Sequence, residues 1–252
     1  MTRMHKTLLA AAFAACSVGA QAATVTITFD SPIFSGTAAP GYDAVRITYP
    51  TLPGPGSTTA SVAAGRFQGT ASNLVDIDAG QIVDNINDVW MFCYDVYETI
   101  GHGQVVTYTV DFNGATERTL SFLGAVNSVL AASVPADQTP YAWLHPTTAY
   151  QAAAIQLGIW ESLYDTGWDI LNGSFKASGL ETATQTALGS YFGAIGTASA
   201  LERKYTMVLE ATGAQDMITG DPPRNAVPEP GTLSLLLASA GAFAMGRRRR
   251  RA

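Results

Sequence analysis

Beyond its first 22 residues the chain has one cysteine, Cys93; the other, Cys16, lies inside that opening stretch. Exported proteins normally pair their cysteines, so a lone one asks for a reason. Three are open: an inert buried thiol, a disulfide to another chain, or a nucleophile. A thiol nucleophile is commonly served by a histidine. The same part of the chain has two, His102 between Gly101 and Gly103, and His145 just before Pro146. Both read as loop residues, and sequence spacing leaves open whether either meets Cys93. An acidic stretch, Asp76, Asp78, Asp84 and Asp88 with Asn85 and Asn87, has the oxygens calcium favours. Its glycine, Gly80, falls at the fifth position, against the sixth of the EF-hand pattern, so a solvated acidic loop is expected. Glu161, Asp165 and Asp169 are too separated for an acid–base pair and read as a polar helix face. No glycine-rich phosphate loop, zinc spacing or dinucleotide fingerprint is present, and no metal or cofactor is expected.

The residues around the cysteine read Trp90-Met-Phe-Cys-Tyr-Asp95, and 63 residues later comes Ala153-Ala-Ile-Gln-Leu-Gly-Ile-Trp-Glu161. Alone, Gln156 would be a helix glutamine facing solvent. Together the two motifs, an aromatic before Cys and an apolar-Gln-x-small-Ile-Trp, resemble the thioester domain of bacterial surface adhesins. The resemblance spans roughly residues 88–210. Cys93 matches the family's cysteine, Gln156 its glutamine, and Ile159-Trp160 the Ile-Trp that follows; Gly158 stands where Ala is usual. What it implies is an internal thioester: the Cys93 sulfur attacks the Gln156 carboxamide, ammonia leaves, and a partner's amine or hydroxyl, on a protein or a polysaccharide, later opens the bond. Held in attack geometry, such a pair gains ~7–11 kcal/mol of the barrier from proximity. This is single-turnover attachment rather than enzyme turnover. Trp90, Phe92, Tyr94 and Trp160 are candidates to keep water from the bond, or are simply core aromatics. Two other readings stand beside it: a non-covalent structural or carbohydrate-associated matrix protein, and a secreted Cys–His thiol hydrolase.

The rest of the body reads as two blocks. Ala23–Phe29, Ala44–Tyr49, Val89–Tyr97 and Gln104–Phe112 carry strand patterns, with loops at 50–56 and 101–103. Leu120, Leu123, Val126, Val129 and Leu130 fall at helical spacing. A second helix is expected after Pro146 through Tyr164, and a third over Leu180–Ile195. Lys204–Glu210 returns to strand. Strands, helices, then a strand predict an α+β fold, a β-sandwich or barrel with an inserted helical subdomain, over residues 23–220.

The two ends are addresses. Residues 1–22 have a basic start, an apolar run over Leu8–Ala15 and the small-residue pattern Ala20-Gln-Ala22, which is a cleavable secretory signal. Residues 221–230 form a linker ending in Val227-Pro228-Glu229-Pro230. Residues 231–252 hold an apolar run, Gly231–Gly246, and the cluster Arg247, Arg248, Arg249, Arg250 and Arg251. As a helix the run measures about 24 Å, short of the ~30 Å hydrocarbon core, and its arginines favour the cytoplasmic side. Val-Pro-Glu-Pro, apolar run and Arg cluster together resemble the PEP-CTERM sorting signal. That implies an exported bacterial protein, anchored in the membrane until an exosortase-type enzyme processes it, and destined for the cell surface or a biofilm matrix. The net charge of −6 hides a segregation: setting aside Arg3, Lys6 and the arginine cluster leaves 7 basic against 20 acidic residues. A body that acidic repels phosphate backbones and excludes nucleic acid as a partner.

Overall fold

The computed structural model describes residues 22–34, 41–82 and 85–220. The signal segment up to Gln21, Asp84 of the acidic stretch, residues 221–230 and the 231–252 tail, with Val227–Pro230 and Arg247–Arg251, lie outside the described residues.

Nine strands run in chain order as β1 (Thr24–Phe34), β2 (Tyr42–Pro50), β3 (Ser57–Gly65), β4 (Phe67–Val75), β5 (Val89–Cys93), β6 (Val105–Asp111), β7 (Lys176–Ser178), β8 (Met207–Glu210) and β9 (Met217–Thr219). Three α-helices, α1 (Glu117–Leu130), α2 (Ala149–Tyr164) and α3 (Thr182–Ala194), lie between β6 and β8. Six strands close an antiparallel barrel in the order β1-β4-β5-β9-β8-β6, and β3-β2-β7 form a separate antiparallel sheet. The helical block is thus inserted between β6 and β8, which are neighbours in the barrel. This is the α+β fold the sequence predicts.

Alternation explains the barrel. Val25, Ile27 and Phe29 on β1 and Val106, Tyr108 and Val110 on β6 are buried, so each strand turns one face to a shared core. Phe29 meets Phe67 and Tyr108 edge-on, at ring separations of 6.3 and 6.5 Å. The chain passes from the small sheet into the barrel at one residue, Arg66, between β3 and β4. Arg66 is buried, donates to the Leu144 carbonyl, and stacks its guanidinium 3.8 Å from the Trp90 ring centre. The helices start where side chains cap them: Thr116 accepts from Thr119 N–H for α1, and Thr148 from Gln151 N–H for α2.

Two segments differ from the sequence reading in ways that matter for the site. The strand expected over Val89–Tyr97 stops at Cys93. Asp95 ends it, because its Oδ1 accepts from the backbone N–H groups of Tyr97 and Glu98, folding the chain into a turn. Glu161 is not on a polar helix face. It is fully buried, with Oε1 accepting from Asp169 N–H at 3.0 Å. Asp165 lies past the end of α2, where its carboxylate gathers the N–H groups of Thr166, Gly167 and Phe175.

Candidate functional site

The Gln156 carboxamide lies against Cys93. Cys93 N–H donates to Gln156 Oε1 at 2.8 Å, and Gln156 Nε2 donates to the Cys93 carbonyl at 2.8 Å. Gln156 is 0% exposed and Cys93 2%. The strand arrangement explains why. On one edge of β5, Tyr94 N–H donates to the Asp216 carbonyl, continuing the pairing with β9. Strand groups alternate edges, so the N–H and C=O of Cys93 face the other edge. There β4 begins at Phe67, opposite Met91, and reaches no further. The primary amide of Gln156 fills the gap as a substitute peptide unit, delivered by α2. A buried amide left without partners is costly, and here both halves of Gln156 and both groups of Cys93 are satisfied together.

Four residues later on the same helix, Trp160 Nε1 donates to the Asp95 carbonyl at 2.9 Å. Gln215 Nε2 donates to the same carbonyl at 2.8 Å, and Tyr108 donates its hydroxyl to the Gln215 carbonyl. Nothing in the sequence singled out Gln215; it precedes β9 and no motif contains it. The stretch after Cys93 is therefore held from α2, from the segment before β9 and by Asp95's own side chain.

Cys93 also lines a cavity of about 390 Å³, walled by Ile47, Phe67 and Trp160 among others, with the exposed Thr99 and His102 also lining it. The buried Cys93 thus shares this cavity with exposed residues of the turn near His102. Of the four aromatics expected near the site, Trp160 lines this cavity. Trp90, Phe92 and Tyr94 are not among its lining. Trp90 packs on Arg66 and on His145 (ring centres 4.9 Å apart), Phe92 on Trp143, and Tyr94 accepts from Thr116 N–H with its hydroxyl at the start of α1. They fix β5 against the helical block.

The two histidines separate. His102 shares the cavity with Cys93, and its Nδ1 accepts from Ile33 N–H at 3.1 Å. That hydrogen bond engages the Nδ1 lone pair. His145 sits beside Trp90, away from that cavity. Burial pushes the Cys93 thiol well above its ordinary range, with the nearby Asp95 carboxylate adding to the rise. Burial also pushes Glu161 up to about 7, and Asp216, near Asp95, up to about 6. In the acidic stretch, Asp88 accepts from Gln68 and Asn85 side chains, and Asp78 N–H donates to Gln81. Among the described residues no group of three or more His, Cys, Asp or Glu is disposed to hold a metal ion.

Gly158, the one departure from the thioester pattern, has a physical cause. A Cβ there would lie 1.9 Å from Cζ of Phe122, whose ring packs into the place a side chain would take. Close packing of α1 on α2 at this point requires glycine.

What the chain is sorted for is decided at its other end. Residues 226–251 match the PEP-CTERM protein-sorting motif. The chain is thereby an exported protein sorted to the cell surface, a substrate for exosortase processing, with a membrane-associated signal at its C-terminus. The match includes Val227–Pro230 and Arg247–Arg251 and stops short of the body. No curated protein and no solved structure matches this chain.

Proposed function

We propose that this surface-sorted PEP-CTERM protein attaches covalently to a partner through an internal thioester between Cys93 Sγ and Gln156 Cδ. One observation carries the reading: two side chains 63 residues apart, both buried, with the carboxamide docked on the cysteine's own backbone by a pair of 2.8 Å hydrogen bonds. In an extended strand the side chain leaves the plane of those hydrogen bonds. Nucleophilic addition needs the sulfur to come at the amide carbon from a face of the amide, the side on which such a side chain lies. Cys93 N–H, already on Oε1, is aimed at the oxygen where charge develops. The sulfur–carbon bond forms, the carbon–nitrogen bond breaks, and ammonia leaves with the thiol proton. An amine or hydroxyl then adds to the same carbon and releases the thiol, leaving an amide or ester.

The cavity gives such a nucleophile a way in from the side of His102. The engagement of His102 Nδ1 by Ile33 N–H weighs against a thiol hydrolase, because a general base must offer a lone pair. The second reading is a non-covalent structural or carbohydrate-associated matrix protein, in which Gln156 is only the strut that completes the β5 edge. The neutral Cys93 thiol and the full satisfaction of Gln156 favour it. Methylamine separates the two. Under the thioester reading the mature body gains one methylamide at Gln156, found by peptide mapping, and one newly alkylatable thiol at Cys93. A body whose Gln156 stays a primary amide after methylamine treatment supports the strut.

A further inference from the structure

Helix α2 stands in for a missing strand along β5, and it grips the chain at two points. Gln156 holds Cys93 and Trp160 holds the carbonyl of Asp95. On the helix these residues are an i, i+4 pair, separated by about 6 Å of rise. On extended backbone their partners are an i, i+2 pair, separated by at most about 6.6 Å, and the chain bends at Tyr94 between them. The two spacings match only when helix and strand run in the same direction and in one register. A slip of one residue along the strand would present the opposite edge to the helix, and Gln156 would lose both of its bonds.

We infer that Trp160 is a positioning residue whose indole N–H sets the register that brings the Gln156 carboxamide to Cys93; this rests on the thioester reading. The N–H does this rather than the ring. Gln156 makes both of its side-chain hydrogen bonds to one residue and could pivot about it; a second anchor one helical turn away removes that freedom. Gln215 donates to the same Asp95 carbonyl from the segment before β9 and gives that carbonyl a second anchor. The Trp160 ring packs on Phe175, 6.2 Å between centres, which supplies stability but no register.

The test compares three mature bodies by intact mass, scoring the fraction that has lost one ammonia after a fixed maturation time, and by thermal unfolding. Trp160→Phe keeps an aromatic ring and loses the donor; Phe175→Leu loosens the ring packing and keeps the donor. Trp160→Phe is expected to form the bond at least about tenfold more slowly, as a small misplacement of reacting groups does. Phe175→Leu is expected to lower Tm yet form the bond at the wild-type rate. If Trp160→Phe does not fold, benzothienylalanine at position 160, with the indole outline and no N–H, replaces it. Wild-type bond formation in the variant without the donor overturns the inference, as does loss of the bond in both variants in step with Tm. A wild-type body that never loses ammonia fails at the first comparison and overturns the thioester reading instead.

Discussion

Removing the Gln156 carboxamide isolates the part of the account that rests on packing alone. In a Cys93→Ala background no thioester forms, yet the backbone N–H and C=O of residue 93 remain and Gln156 still serves both. Adding Gln156→Ala strands those two groups at a site where Gln156 was fully buried and β4 does not reach. Each buried group left unsatisfied costs about 1–3 kcal/mol, and the one lost methylene costs about 0.8 kcal/mol. The expected loss is roughly 3–7 kcal/mol, a large share of a typical ~5–15 kcal/mol stability. Urea unfolding reads the energy, and native-state hydrogen exchange reads the place. The amide of residue 93 is expected to be among the well protected ones and to lose protection in the double variant. A stability change under about 1 kcal/mol, with residue 93 still protected, refutes the substitute-strand account of Gln156.

Three further outcomes follow from the packing around the site. The Glu161 carboxyl sits near 7 in the fold against an ordinary 4.5. Between those values the folded chain holds a proton the unfolded chain has released. The stabilisation is fully present below about pH 4.5 and is lost as pH rises through 7. Asp216, raised to about 6, acts in the same direction over a lower range. Glu161→Gln should therefore flatten the fall of Tm between pH 6 and 7; an unchanged slope would count against the burial of Glu161 as its cause. Gly158→Ala, which restores the residue usual in thioester domains, should destabilise by about 1–3 kcal/mol through overpacking. Pairing it with Phe122→Leu should recover part of that loss in urea unfolding, and equal losses in single and double variants would contradict the contact. His102→Ala should leave bond formation between Cys93 and Gln156 intact by mass, since its Nδ1 is engaged by Ile33 N–H; loss of the bond would reinstate a Cys–His pair.

The sequence revealed the site through residue types that are uncommon together rather than through element boundaries. An unpaired cysteine and a glutamine ahead of Ile-Trp named both partners of the 2.8 Å contacts. Alternation found β1, β2 and β6, and helical spacing found α1 and α2, because those elements bury an apolar stripe; α3 lies within the run expected over Leu180–Ile195. Val129, counted in the α1 stripe, is exposed. β3 and β4 left no such trace: Ser57–Gly65 and Phe67–Val75 are rich in Ser, Thr, Ala and Gly, and their places come from long-range pairing. The early end of β5 depends on an Asp95 side chain that binds its own turn, which hydrophobic patterning does not register. Gln215 was invisible because its role is a contact to a residue 120 positions away. Burial of Glu161 was missed for the opposite reason: composition places carboxylates at the surface, and only the packing of α2 against its neighbours puts this one inside.

Intact mass of the mature wild-type body, beside Cys93→Ala, tests attachment chemistry most directly. The wild-type protein is expected to be lighter than its calculated mass by one ammonia, with a thiol that resists alkylation until methylamine is added, and the Cys93→Ala protein to stand at its full calculated mass. A wild-type body at full mass, with Cys93 freely alkylated once unfolded, contradicts the thioester and leaves Gln156 as a strut in a surface-sorted protein.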